Sequence, residues 1–214
     1  MVRKTKEEAI ETRNQLLEAA EIVFFNKGYS QTTLMDVAKH VGMTRGAIYW
    51  HFKNKVDLFE AMVERVRLPL EMLGEEYADE NEPDPLGKLR SFSILFLKEI
   101  TQDARKKRVF SILFHKFEQN GQAEDLEKRQ IMSFIECTNR IERSLQNAVN
   151  KGQLPKDLDV PQAAIIKHAY FAGLINNWLF LPENNSFSLE SMIESLVDNY
   201  IFLIKNSPNL RLKR

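Results

Sequence analysis

The sequence predicts an all-α fold, with a small N-terminal three-helix head and a larger helical body, and three observations carry that prediction. Only 8 glycines and 7 prolines occur in 214 residues, so long stretches hold no helix breaker. Apolar residues recur at the three-to-four-residue spacing of a helix face, between segment starts at Thr, Asn or Asp and stops at Gly. No run alternates apolar and polar residues as a half-buried strand does.

The elements follow in order. Ile10, Leu16, Leu17, Ala20, Val23 and Phe24 define a first helix over 7–27, closed by Gly28 as a left-handed C-cap. Thr33, with Asp36 three residues on, forms an acidic capping box that opens a second helix, which ends at Gly42. Thr44 caps a two-turn third helix over 45–52, and Asn54 caps a fourth. Pro69 is expected to break or kink that fourth helix. The acidic run 75–84 reads as a solvated loop or a frayed helix end, and Asp84 then caps a helix with Pro85 at its first position. Later helices are expected over 103–119, 123–151, 161–181 and 189–206, joined at 120–121, 152–155 and 182–188.

Thirty basic and thirty acidic residues cancel, so there is no overall attraction to nucleic acid or anionic lipid, and any DNA contact must come from a local patch. The one cysteine, Cys137, rules out an intrachain disulfide framework and reads as a small core residue in a reducing compartment, hence a cytoplasmic protein. The basic start, residues 1–6, lacks the apolar run of a signal peptide. Residues 163–181 are long enough to span a bilayer, but Lys167, His168, Asn176 and Asn177 interrupt them, so a buried helix is expected and no membrane span.

The informative stretch is 33–55, TLMDVAKHVGMTRGAIYWHFKNK. Ala38 is small enough for two helices to cross closely, Gly42 suits a tight interhelical turn, and Val37, Val41 and Ile48 are placed to bury the crossing, with Phe52 one turn beyond. That leaves Thr44, Arg45, Tyr49, Trp50, His51, Lys53 and Lys55 outside, with no acidic residue from 44 to 55. Hydroxyl, guanidinium and aromatic groups around a helix N-terminus suit a phosphate backbone and base edges. Thr33, Tyr49, His51 and Lys55 are expected at phosphates, with Thr44 beside them, and Arg45, Gly46 and Trp50 nearest the bases. The alternative is a plain helical hairpin with its aromatics packed on a neighbouring helix.

This string closely resembles the DNA-binding signature of the TetR family of bacterial repressors, a helix-turn-helix ending in Tyr-x-His-Phe-x-x-Lys, met here by Tyr49, His51, Phe52 and Lys55. Residues 2–9, 44–52, 112–116 and 169–182 look like the AcrR/TtgR branch, whose members repress multidrug efflux operons. The resemblance implies a helix-turn-helix DNA-binding domain over 1–53 and a ligand-binding and dimerisation domain over 54–214. It implies a homodimer on palindromic double-stranded operator DNA, released when a hydrophobic or aromatic effector binds. A regulator of lipid or other metabolism, or an activator, is the alternative output.

The tail supports the dimer independently. Ala163, Ala164, Ile166, Ala169, Tyr170, Gly173, Leu174 and Trp178 give 161–181 apolar surface on more than one side, and 189–206 carries a broad stripe from Leu189 to Ile204. The other reading is that both helices complete a monomer core. By the same resemblance the effector pocket is lined by Val66, Phe92, Phe96, Phe110, Leu113, Phe114, Phe134, Ile141, His168, Phe171, Ala172, Ile175 and Asn176. Phe110, Phe114 and Ala172 replace polar residues of the family's pocket, which implies a greasier cavity with His168 and Asn176 as polar handles. Each phenylalanine can equally fill the core. Pro69 is a candidate hinge for the ligand response. An enzyme reading would rest on His40, His51, Cys137, or His115 with Glu118 at metal-ligand spacing. No second such pair, phosphate loop or nucleophile elbow accompanies them, so neither catalysis, a cofactor nor a metal is expected.

Overall fold

The computed structural model describes residues 6–117, 124–182 and 188–213. Among them nine helices follow one another: α1 Lys6–Lys27, α2 Leu34–His40, α3 Arg45–His51, α4 Lys55–Tyr77, α5 Pro85–Gln102, α6 Ala104–Ser111, α7 Glu124–Asn150, α8 Val160–Phe180 and α9 Leu189–Asn206. A π-helical turn, Ile112–Lys116, follows α6, and a short 3₁₀ turn, Pro208–Leu210, follows α9. No strand occurs among the described residues beyond an isolated bridge between Leu158 and Arg211. The chain divides into two compact units, Met1–Arg67 with Ala104–Lys128, and Leu68–Asp103 with Arg129–Arg214.

In the first unit α1 presents Leu16, Leu17, Ala20 and Phe24 to a core completed by Val37, Ala38, Ile48, Phe52, Leu58 and Met62. Three caps fix where α2, α3 and α4 begin. Thr33 accepts from the Asp36 N–H at 3.2 Å while the Asp36 carboxylate accepts from the Thr33 N–H at 2.9 Å, the expected reciprocal box. The Lys27 ammonium closes on the same carboxylate at 2.7 Å, and these hydrogen bonds hold Asp36 well below the usual carboxylate range. Thr44 Oγ1 accepts from the Ala47 N–H at 3.3 Å, and Asn54 Oδ1 from the Asp57 N–H at 2.9 Å. Gly28, at φ +79°, ends α1, and its nitrogen still donates to the Phe24 carbonyl at 2.8 Å.

Two expectations give way. The helix α4 continues through Pro69 to Tyr77 rather than breaking there. A proline removes one hydrogen bond, but Val66 and Leu70 on either side are buried in their units and keep both turns helical. The helix expected over 103–119 is instead α6 followed by the wider π turn. There the Lys116 carbonyl accepts from the Tyr29 N–H at 2.9 Å, and the Phe117 ring packs against Tyr29 and Phe59 at 5.1 and 5.4 Å. The basic start at 1–5, Glu118, the 120–121 connector and residues 183–187 lie outside the described residues.

In the second unit α5 lies along α9, joined by Arg90 to Asp198 at 2.6 and 2.9 Å, Lys98 to Glu194 at 3.3 Å and Gln102 to Glu190 at 2.8 Å. Ile141, Leu145 and Ala148 of α7, Ala163 and Ala164 of α8, and Tyr200 and Ile204 of α9 share one core. The Tyr200 hydroxyl donates to the Ala163 carbonyl at 3.0 Å, tying α9 to α8. Arg211 donates to the Ile204 and Lys205 carbonyls at 3.2 and 2.6 Å, satisfying the end of α9.

Thr33→Ala removes one half of the α2 box and is expected to destabilise the first unit by about 1 kcal/mol in urea unfolding. An unchanged midpoint would show that tertiary packing alone holds the start of α2.

Candidate functional site

The second and third helices are each seven residues long, too short to persist without packing. Their buried side is supplied by Val37, Ala38, Ile48 and, just past α3, Phe52. Ala38 and Ile48 are both 0% exposed, so the outward face of α3 is fixed with respect to α1 and α4 within this unit.

That outward face carries most of the predicted DNA-contacting residues. Thr44, Arg45, Gly46, Tyr49 and Trp50 are exposed, Trp50 at 71%. The Arg45 guanidinium lies 5.3 Å over the Tyr49 ring, and Trp50 meets His51 edge-on at 4.5 Å. Packing does not explain the glycine at 46. A Cβ there meets nothing nearer than Thr44 Oγ1 at 4.0 Å, and its φ lies outside the left-handed region. With no packing need for glycine there, the missing side chain leaves a notch through which another molecule can approach the backbone.

Three predicted residues are engaged with, or partly covered by, the protein itself. The Thr33 side chain is engaged in its cap, and His51 is half-buried. Lys55 turns its ammonium to the Tyr29 and Ser30 carbonyls at 2.9 and 3.3 Å and over the Tyr29 ring at 4.3 Å, and burial lowers its pKa. Lys55 therefore braces the turn after α1 in this structure.

The effector-lining residues divide between the units. Val66, Phe110, Leu113 and Phe114 belong to the first, where Phe110 and Phe114 stack at 6.5 Å and the π turn carries Leu113 and Phe114. In the second, Phe92 lies 6.1 Å from Phe96 and 5.3 Å from Tyr77, and Phe134 stands edge-on to His168 at 4.8 Å. Ile141, Phe171 and Ile175 are buried, while Ala172 and Asn176 are half-buried. Burial lowers the His168 pKa, with Lys167 adding to the effect, so the imidazole is neutral at pH 7.

Two features escaped the sequence reading. Glu21 of α1 is buried beneath Arg105 and Arg108 of α6 at 3.1 and 3.5 Å, and Glu18 takes Arg65 and Arg105 at 3.1 and 2.9 Å. Burial raises the Glu21 pKa against the pull of Arg105, Arg108 and Arg65. The signal was present as two acids and two arginines, each pair three residues apart, on separate helices. The second is Lys167, which appeared in the sequence only as an interruption of an apolar stretch. It is 6% exposed, and its ammonium lies 4.9 Å over the Phe171 ring. Among the described residues, no group of three His, Cys, Asp or Glu side chains could hold a metal ion, and no helix is long and apolar enough to cross a membrane.

Residues 16–62 match the model of bacterial regulatory proteins of the tetR family, and residues 84–206 match that of the MAATS-type transcriptional repressor C-terminal region. The chain belongs to the TetR family. It is a helix-turn-helix transcriptional repressor by family, a regulator rather than an enzyme. It is 42% identical over 211 residues to a probable helix-turn-helix transcriptional regulator, ArpR, of Pseudomonas putida, covering 99% of this chain and 100% of the relative. The crystal structure of MexZ, a repressor responsible for antibiotic resistance in Pseudomonas aeruginosa, superposes with a TM-score of 0.81 at 30% identity, covering 95% and 99% of the two chains. SmeT, repressor of a Stenotrophomonas maltophilia multidrug efflux pump, superposes in its triclosan complex with a TM-score of 0.82 at 30% identity, covering 92% and 93%.

In this TetR-family chain Lys167 gives a pH signature. Burial pulls its pKa down to about 8 from an ordinary 10.5, so across that window the unfolded chain binds the extra proton and stability rises with pH. The groups around it are Cys137, whose burial-raised pKa acts with opposite sign above its ordinary range, His168, and Arg140 and Glu71 beside Cys137. Denaturant unfolding at pH 7.5 and pH 9 is expected to show wild type gaining on Lys167→Met as pH rises. A constant difference would show that the ammonium has no desolvation cost.

Proposed function

We propose that this protein is a homodimeric repressor of a multidrug efflux operon, acting in the cytoplasm and released from palindromic operator DNA when a hydrophobic or aromatic compound binds its body. The observation that carries the reading is the α3 surface. It combines an arginine, a notch at Gly46 and a tryptophan left 71% in solvent on a two-turn helix whose other side is wholly committed to the core. Residues 1–53 serve as the DNA-binding domain and 54–214 as the ligand-binding and dimerisation domain.

On DNA, Thr33, Thr44, Tyr49, His51 and Lys55 face phosphates, and Arg45, Gly46 and Trp50 face base edges in the major groove. Thr44 Oγ1 already accepts from the Ala47 N–H and so fixes where α3 begins. Lys55 contributes positive charge near the strand while holding the Tyr29–Ser30 turn.

Dimerisation through α8 and α9 is supported by the apolar side chains these helices leave in solvent: Ile165 and Phe180 on α8, and Met192, Phe202 and Leu203 on α9. Exposed residues of this kind on two adjacent helices suit a two-fold four-helix bundle. The efflux assignment is supported by the multidrug efflux pump that SmeT is described as repressing, by the antibiotic resistance for which MexZ is described as responsible, and by the triclosan complex of SmeT. The effector site is proposed among Phe92, Phe96, Phe134, Ile141, His168, Phe171, Ala172, Ile175 and Asn176 of the second unit, and the residues named for the effector in the first unit are Val66, Phe110, Leu113 and Phe114. Release requires that the effector prefer the DNA-incompetent conformation, since equal affinity for both shifts nothing. Pro69 within α4 is the proposed hinge.

The test is a gel-shift titration on the DNA upstream of the protein's own gene, with and without planar hydrophobic antimicrobials. Specific binding released by one or more of them is expected. Specific binding released by none would remove the efflux-type effector, and no specific binding at low salt would remove the repressor reading.

A further inference from the structure

The Lys167 ammonium sits where a cation is costly. The residue as a whole is 6% exposed, on the face of α8 that also carries His168 and Phe171. No carboxylate or hydrogen-bond acceptor meets it among the described residues, and the contact it makes is with the Phe171 ring at 4.9 Å. A cation over a phenyl face is partly compensated, but by less than an ion pair supplies. Across from it on α7 stand Cys137 and, at helical spacing on the same side, Phe134 and Ile141. Cys137 does not provide the missing charge. Burial raises its pKa, so at pH 7 it is a neutral thiol, and its interaction with Lys167 only partly offsets that rise. His168, neutral for the reason given above, adds no charge, and its ring meets Phe134 edge-on at 4.8 Å.

This is an apolar, aromatic-walled environment with one uncompensated positive charge. Natural cores exclude such a group unless it has a partner, because desolvating an unpaired ammonium costs several kcal/mol. A methionine of similar length would fill the same volume without that cost. Retention of lysine is explained if the partner arrives from outside, as an anion on a molecule whose remainder suits aromatic and aliphatic walls.

We propose that Lys167 is the charged handle of the effector site, and that the effectors this protein prefers are apolar aromatic compounds bearing one acidic group, a carboxylate or an acidic phenol, which pairs with the Lys167 ammonium. The proposal rests on the ligand-release reading above and narrows it to a chemical class. His168 takes the second oxygen of a carboxylate as a neutral donor, and Phe134 and Phe171 flank the ring system. The arrangement makes Lys167 discriminate between an acid and its neutral isostere, since only the acid relieves the buried charge.

The experiment compares matched probes: 2-naphthoic acid with methyl 2-naphthoate, and pentachlorophenol with its methyl ether. Their affinities for wild type and Lys167→Met are measured by calorimetry at pH 7, and operator release is followed by gel shift. In wild type each acid is expected to bind at least about tenfold more tightly than its methylated partner, equivalent to about 1.4 kcal/mol. In Lys167→Met that preference disappears, the methylated compounds bind as before, and the variant melts at or above the wild-type temperature. An acid preference that survives in Lys167→Met overturns the proposal, as does a wild type that favours the methylated probes. A variant that melts lower assigns Lys167 to structure and overturns it too. Operator release by the methylated probes alone upholds ligand release while overturning the acid handle. Release by none of the four probes nor by a wider apolar panel overturns both.

Discussion

The close crossing of α2 with α1 and with α3 is the constraint on which the rest depends. Two seven-residue helices have almost no stability of their own, and they exist because Ala38 lets the backbones approach and Ile48 and Phe52 fill the space beneath. The side chains Thr33, Thr44 and Asn54 then fix the starting residue of α2, α3 and α4. With the inner face and all three starts determined, α3 has one rotational setting. Arg45, Tyr49 and Trp50 point outward as a consequence, and the surface proposed to read DNA follows from core packing.

The same unit also reaches residues far along the chain. Ala104–Lys128 joins Met1–Arg67, with Tyr29 hydrogen-bonded to the Lys116 carbonyl and Glu21 held under Arg105 and Arg108. Any change at the π turn or α6 therefore acts directly on the far end of α1 and the turn that Lys55 braces. The π turn is a local departure from regular helix of the kind that collects at functional positions, and it carries two residues of the proposed effector site.

The fold was legible because its signals are local. Gly28, Thr33 with Asp36, Thr44, Asn54 and Asp84 all act within four residues of themselves, and each behaves in the structure as its position implies. The expected break at Pro69 does not occur: the rule against proline in helices weighs one lost hydrogen bond and one clash. It cannot weigh burial at Val66 and Leu70. The π turn was invisible because the residues that meet its end, Tyr29 at the Lys116 carbonyl and Tyr29 and Phe59 at the Phe117 ring, lie more than fifty residues away. The same holds at the sites. The outward set on α3 was readable from one helix, whereas the inward turn of Lys55, the Glu21 cluster and the isolation of Lys167 depend on which helices meet. A buried lysine and a surface lysine look identical in one dimension.

If the packing of α3 presents Trp50 to DNA as proposed, titration of operator DNA with Trp50→Ala will show it. The ring is largely in solvent and supports no core residue, so the variant is predicted to melt with the wild type while binding operator at least about tenfold more weakly. Wild-type affinity with wild-type melting would contradict the claim, because the exposed face of α3 would then not be the surface that touches DNA.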